Sequence, residues 1–300
     1  MISREFVLND VVVRLAGGLG NQMFQYAAAR AVAIRSGTGL VVDLSWFATV
    51  SDRHYALLPF SINAQTLGPI VFERGRVVRF VRRITQRLMK RADKIWRGIP
   101  VFREKYFHFD PEVLDLRAPV CMDGYFQSEK YFDDCRDVIA TEFVPANPPG
   151  DSSQAMLARI SACNAICLHV RRGDYVANIA ANAFHGTCSL DYYNEGLSIV
   201  SAGLANPHCF VFSDDPEWVL ANFQLILPMT VVDIHGPDDA HEDLRLMSAC
   251  QHFVIANSSL SWWGAWLGKD LAKRVVAPKR WFNNPVNDTG DLIPKAWKTI

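Results

Sequence analysis

The chain has 300 residues, half of them hydrophobic, with 31 Lys and Arg balanced by 31 Asp and Glu. That length suits two domains of about 150 residues each, and the even charge argues against a surface built to hold nucleic acid. Seven scattered cysteines with no C-x-x-C pair exclude a zinc ribbon or a disulfide framework and point to reduced thiols in the cytoplasm.

The N-terminus lacks the apolar core of a secretory signal. No run of about 18 apolar residues occurs, so no membrane span is expected. Val11 to Leu15 reads as a buried strand, broken by Gly17-Gly18-Leu19-Gly20. Asn21 is placed to cap a helix through Phe24, Ala28, Ala31 and Ile34 that ends near Gly37. Leu40 to Val42, followed by Asp43, completes a βαβ unit. The glycine loop is close to a dinucleotide fingerprint, but Met23 stands where its third glycine would be. An NAD-dependent oxidoreductase is therefore a weak rival, and the loop fits a backbone that a ligand approaches closely.

Residues 74–97 hold ten Lys or Arg, with only Glu73 at the edge and Asp93 opposing them. Val77, Phe80, Val81, Ile84, Leu88 and Ile95 recur at helical spacing, so a basic amphipathic helix is expected. It is either a solvated helix with one core face or a contact for an anionic membrane surface or a lipid-linked phosphate acceptor. Residues 145–151, Pro-Ala-Asn-Pro-Pro-Gly-Asp, form the clearest linker and divide the chain into domains 1–150 and 151–300.

Beyond the linker, strands are expected at Ala165–Leu168, Cys209–Phe212, Thr230–Val232, Phe253–Ile255 and Val275–Val276. Helices are expected at Asp191–Ser201, from Pro216, at Asp239–Ala249 and after Ser259. This alternation gives a parallel, doubly wound α/β sheet. Three polar loops follow three of these strands: His-Val-Arg-Arg-Gly-Asp-Tyr at 169–175, Ser213-Asp214-Asp215, and Asn257-Ser258-Ser259. In such a sheet they emerge at one edge, where ligands bind. Arg171 and Arg172 suit a phosphate. Ser258 and Ser259 can add hydroxyls at a helix N-terminus, and Asp214 or Asp215 can accept from a ribose hydroxyl or a base N–H. Together they describe a nucleoside diphosphate site, against the alternative that each loop merely caps a helix. The Asp214-Asp215 pair by itself is a poor cation site, so no metal is expected. Trp262 and Trp266 share a helical face and read as core, with Trp263 as the exposed ring.

These motifs carry a resemblance to the bacterial α-1,2-fucosyltransferases, the family that also contains the animal galactoside 2-α-fucosyltransferases. It rests on GGLGNQMFQYA at 17–27, GYFQSEKYF at 124–132, HVRRGDY at 169–175, FSDDPEW at 212–218 and NSSLSWWGAWL at 257–267. The resemblance implies a two-lobed, GT-B-like fold with Rossmann-like parallel sheets. The first lobe, carrying the basic helix, would lie on the acceptor side, and the second would bind GDP-fucose. It further implies inverting transfer of L-fucose from GDP-β-L-fucose to the 2-hydroxyl of a terminal galactose in a bacterial surface glycan such as an O-antigen, with no cofactor and no metal.

By the same likeness, Arg171 would bind the β-phosphate and Arg172 would join it in the donor site. His169 and Asp214 would contact the guanine or its ribose, and Ser258 and Ser259 the diphosphate. Gly18, Gly20 and Asn21 would meet the diphosphate from the first lobe. Asp174 is the first candidate for the general base, with orientation of the arginines as its alternative role; Glu129 and Asp43 are weaker candidates. Tyr125, Phe126 and Gln127 fall to the acceptor side. A galactose-terminated, lipid-linked acceptor at the inner face of the membrane is expected. The stretch 74–97 matches no shared motif and is where acceptor preference would differ. The remaining rivals are a glycosyltransferase for another nucleotide sugar and a non-catalytic nucleotide-sugar-binding protein.

Overall fold

The computed structural model describes residues 9–50, 53–68, 98–173, 184, 186–283 and 287–300. The chain divides into two compact units, Met1–Ala146 with Gly290–Leu292, and Asn147–Thr289 with Ile293–Ile300. Each is an α/β unit built on a parallel sheet, the α/β class expected from the sequence.

In the first unit, β1 (Val11–Arg14), α1 (Leu19–Ser36) and β2 (Leu40–Asp43) form the expected βαβ unit. They are followed by β3 (Gln65–Leu67), β4 (Val101–Arg103), a short α2 (Glu112–Asp115), β5 (Val120–Asp123) and α3 (Arg136–Glu142). The strand order is β3-β2-β1-β5-β4, with every pairing parallel. Val11, Val12 and Val13 are wholly buried, as befits a central parallel strand covered on both faces.

Helix α1 starts earlier than the sequence suggests. Gly17 takes a left-handed φ of 77° that turns the chain, so Gly18 becomes the N-cap and Asn21 falls inside the first turn. At the far end Gly37 (φ 64°) closes the helix, its N–H returning to the carbonyls of Ala33 and Ile34. Because α1 is buried on most of its circumference, its polar side chains need internal partners. Gln22 donates to the carbonyls of Gly17 and His54, both at 2.9 Å, and accepts from the Ala56 N–H at 2.9 Å. Gln25 accepts from the Ala16 N–H at 2.9 Å and donates to the Gly124 carbonyl at 3.1 Å. The Tyr26 hydroxyl donates to Glu142 at 2.6 Å, and Arg30 pairs with the same carboxylate at 2.9 Å. The polar residues of the GGLGNQMFQYA segment thus tie its loops to the helix.

The second unit runs α4 (Asp151–Ser161), β6 (Asn164–Val170), α5 (Leu190–Ser201), β7 (Pro207–Ser213), α6 (Pro216–Asn222), β8 (Met229–Val232), α7 (Ala240–Ser248), β9 (His252–Val254), α8 (Ser259–Leu267), β10 (Val275–Ala277) and β11 (Lys298–Thr299). The order is β11-β10-β9-β6-β7-β8, again all parallel. Ile166, Leu168, Val211, Val254 and Val276 from the sheet pack with Tyr193, Leu197 and Val200 of α5. Near the start of this unit, Ser153 lies 2.8 Å from His235 and 3.1 Å from Glu242, and Arg245 bonds both Glu242 and the Asn147 carbonyl. At the end of α8, Lys273 donates to the carbonyls of Ala265, Trp266 and Gly268 at 2.7–3.1 Å, satisfying acceptors the helix leaves open.

The tryptophans depart from expectation at one position. Trp262 and Trp266 are buried as anticipated, but Trp263 is also fully buried. Its ring packs edge-on to both neighbours, at 5.0 and 5.1 Å. Ser261 to Trp266 are all buried, so the middle of α8 is enclosed on every side and Trp263 packs inside with the other two rings. The expected basic helix at 74–97 lies outside the described residues. No helix among the described residues is long and apolar enough to cross a membrane.

Candidate functional site

Strands β9, β6 and β7 are adjacent and parallel, so the three polar loops open on the same edge of the second sheet. Arg171 and Arg172 follow β6 directly, and Asp214 and Asp215 follow β7, one strand away. The two pairs meet. Arg171 Nη1 lies 3.1 Å from one Asp214 oxygen, and the other oxygen accepts the backbone N–H of Arg172 at 2.8 Å. One carboxylate therefore holds both the side chain of Arg171 and the turn that carries it. A Cβ at Gly173 would come within 3.1 Å of the same carboxylate, so a side chain there would push the two loops apart.

Arg172 is held separately. Its guanidinium carbon sits 3.9 Å from the centroid of the Trp218 ring, a stacked cation–π contact. Its Nε is 3.6 Å from Asp215, too far for a hydrogen bond, and that buried nitrogen has no acceptor. Asp215 is otherwise engaged as the N-cap of α6, accepting the Trp218 N–H at 3.2 Å. Trp218 closes the FSDDPEW motif at 212–218 but was given no role from the sequence; it lies against the second arginine of the loop after β6. Of the two arginines, Arg171 is the one oriented by a carboxylate at the sheet edge.

His169 is the last but one residue of β6 and is 4% exposed, yet its Nδ1 has no hydrogen-bond partner. Burial drives its titration down to about 4; Asp214 opposes this and Arg171 reinforces it. The ring is therefore neutral at pH 7. Burial alone would raise Asp214, but Arg171, the N–H groups of Gly173 and Arg172, and His169 together hold its carboxyl below the ordinary carboxylate range. The site thus holds a fixed guanidinium beside a buried, neutral imidazole.

Ser258 is the N-cap of α8, but its hydroxyl makes no capping bond. Ser259 opens the helix beside it, on the edge shared with the arginines. Asn257 is committed to structure, donating to the carbonyls of Gly186 and Trp281 at 3.2 Å each. Asp174 lies outside the described residues. Among the described residues no cluster of three or more His, Cys, Asp or Glu is arranged as a metal site.

The residues expected on the first unit gather at the C-terminal edge of its sheet. A Cβ at Gly18 would meet nothing within 4 Å, and the backbone there is extended, so nothing inside the protein requires glycine at this position. Gly20 is buried in the first turn of α1. Asn21 accepts a hydrogen bond from the Gln127 amide at 2.8 Å. Asp43 is fully buried, 3.3 Å from Arg14, and accepts the Ser45 N–H at 2.9 Å. Glu129 is 3.3 Å from Arg136. Of the expected acceptor-side residues, Phe126 is fully buried and Gln127 nearly so, leaving Tyr125 exposed. Phe126 has a φ of 53°, a conformation held by Glu104, which accepts the N–H groups of Tyr125 and Phe126 at 2.7 and 2.9 Å. Burial pushes the Glu104 carboxyl up while those two bonds pull it down. No sequence motif marked Glu104.

Comparison with known proteins adds a family. The model described as "Glycosyl transferase family 11" matches residues 6–300. An alpha-1,2-colitosyltransferase of Escherichia coli is 31% identical over 302 residues, covering 98% of this chain and 99% of its own. The O-antigen biosynthesis glycosyltransferase WbnK, also of Escherichia coli, is 32% identical over 302 residues, covering 94% and 98%. The mouse galactoside alpha-(1,2)-fucosyltransferase 1 is 24% identical over 266 residues, covering 84% of this chain and 61% of its own.

Proposed function

Because the chain belongs to glycosyl transferase family 11, we propose that it transfers L-fucose, with inversion, from GDP-β-L-fucose to the 2-hydroxyl of a terminal galactose in a bacterial surface glycan. The observation that carries this reading is the Arg171 guanidinium fixed by Asp214 at the exit of the central strand, beside the buried, neutral His169. In the reaction, the galactose oxygen attacks the fucose anomeric carbon as the bond from that carbon to the β-phosphate oxygen breaks. Negative charge grows on the departing phosphate. A guanidinium already in place stabilises that charge more in the transition state than in the ground state. Ser258 and Ser259 supply further donors from the start of α8.

The attacking hydroxyl loses its proton to a carboxylate, and Asp174 is the proposed base. An Asp174→Asn variant that loses transfer but keeps slow GDP-fucose hydrolysis supports that role. Loss of GDP binding assigns Asp174 to structure instead. The positive site needs no metal, so activity should persist in EDTA. The basic stretch 74–97 brings the enzyme to an anionic membrane face, where a lipid-linked acceptor is presented; sedimentation with liposomes that ignores anionic lipid would remove this part.

A second donor has a specific observation behind it, the colitosyltransferase aligned over nearly the whole chain. Colitose is fucose without its 3-hydroxyl. The deciding experiment offers GDP-fucose, GDP-colitose, GDP-mannose and a UDP-sugar with a panel of galactosides, followed by linkage analysis. An α-1,2-fucosylated galactoside is the expected product. Turnover of GDP-colitose or another donor but not GDP-fucose overturns the fucosyl assignment.

A further inference from the structure

In the second sheet, ordered β11-β10-β9-β6-β7-β8, the chain runs outward from β6 to β7 and β8 and then returns to β9 on the other side of β6. The switch point therefore lies between β6 and β9, and the crevice beyond the C-terminal ends of those strands is where ligands bind in such sheets. Asn257, between β9 and α8, stands at it. Its amide donates to the carbonyls of Gly186 and Trp281 at 3.2 Å each, and its oxygen lies 3.8 Å from the Cys188 thiol. The Asn283 N–H donates to the Phe184 carbonyl at 2.8 Å. Gly186 permits this approach: its φ is 67°, and a Cβ there would fall 2.6 Å from the Asn283 side chain. The segment ahead of α5 and the segment after β10 are thus clasped together and tied to the residue that precedes Ser258 and Ser259. All of these residues belong to the second unit.

The clasp carries two rings. Phe184 and Phe282 have centroids 5.0 Å apart and planes tilted by 51°. Trp281 beside them is buried like a core ring, but Phe184 is 39% exposed and Phe282 half-buried. Rings braced at a ligand crevice offer an apolar surface with no side-chain hydrogen-bonding atom. A donor sugar has one group that matches it. On fucose every substituent but one is polar, and the exception is the methyl group at C5. Colitose carries the same methyl. A hexose with a hydroxymethyl group there would press a hydroxyl against rings that cannot pair with it.

We propose that the Phe184–Phe282 pair receives the C5 methyl group of the donor sugar and selects 6-deoxy sugars over sugars with a 6-hydroxyl. The proposal rests on the GDP-sugar transfer reading above. It makes both phenylalanines specificity-determining residues that leave the diphosphate contacts untouched.

The test compares GDP-β-L-fucose with GDP-β-L-galactose, which differs from it only by a 6-hydroxyl. The wild-type protein should favour GDP-fucose about tenfold or more in kcat/KM. Phe184→Ala and Phe282→Ala should each cut kcat/KM for GDP-fucose about threefold to fivefold, while the value for GDP-L-galactose and the affinity for GDP stay within roughly twofold. Phe184→Leu, still apolar, should keep the wild-type preference. A pair that only covers the core would lower both donors and GDP binding alike. That result, a wild type without the preference, or a preference unchanged in both alanine variants would overturn the subsite. If neither GDP-sugar is turned over with any galactoside, the functional reading fails, and the subsite is judged by calorimetric binding of the two GDP-sugars. GDP-fucose must then bind more tightly than GDP-L-galactose, and the alanine variants must narrow the gap; equal affinities, or a gap that the variants leave intact, overturn it.

Discussion

Asp214 offers the sharpest perturbation, because its carboxylate is shared between the Arg171 side chain at 3.1 Å and the Arg172 backbone at 2.8 Å. Asp214→Asn keeps an acceptor for the backbone N–H and removes the charge that orients Arg171. A hydrogen bond to a charged group contributes about 1.5–3 kcal/mol. The two side chains are 25% and 24% exposed, so solvent screening places the loss near the lower end. A loss of about 1.5 kcal/mol corresponds to roughly tenfold in kcat/KM for the donor. Arg171→Ala removes the donor itself and should cost about 100-fold or more. If Asp214 acts through Arg171, the double variant should be no worse than Arg171→Ala alone. Steady-state kinetics with GDP-fucose on the four proteins of this cycle measure the coupling. Additive losses would refute the reasoning and return Asp214 to direct contact with the nucleoside.

Trp218→Leu removes the ring beneath Arg172 and should lower donor kcat/KM about threefold to fivefold with acceptor KM unchanged, while Trp218→Phe recovers most of it; an unaltered Leu variant would mean the stacking is idle. His169 titrates at about 4 in the folded chain against 6.5 ordinarily. Its contribution is therefore complete above pH 6.5 and is lost as pH falls toward 4, a change of about 3 kcal/mol. Urea midpoints between pH 7 and 4 should fall steeply in the wild type and less so in His169→Gln, and parallel slopes would dismiss that role. Glu142→Ala strips the partner from both Arg30 and Tyr26 inside the first unit. Chemical denaturation should register about 3 kcal/mol of destabilisation, and a loss under 1 kcal/mol would show that the pair is dispensable.

The second unit was the more legible half because its central strands are covered on both faces. Such strands read as unbroken apolar runs, Ala165 to Leu168 and Cys209 to Phe212, and their order in sequence fixed which loops share an edge. The first unit was legible only through its opening βαβ unit. Strands β3, β4 and β5 are three or four residues long and carry polar letters, as in Gln65-Thr66-Leu67 and Val101-Phe102-Arg103, so neither period nor run length revealed them. Asn21 was misplaced as a cap because the positive φ of Gly17 is invisible in the sequence. Phe126 was expected on the acceptor side, but its backbone is held at a positive φ by Glu104, about twenty residues upstream, and its ring is fully buried. In the site, the arginines and aspartates were visible as residue types, while the division of labour between Arg171 and Arg172 depends on distances only the fold supplies.

The central claim is that Arg171 grips the β-phosphate of a guanosine diphosphate, and calorimetric titration with GDP and GMP in the presence of EDTA tests it most directly. The wild-type protein should bind GDP far more tightly than GMP, and Arg171→Ala should erase that preference while leaving GMP affinity nearly unchanged. A variant that keeps the preference for GDP, or loses GDP and GMP alike, would contradict the assignment.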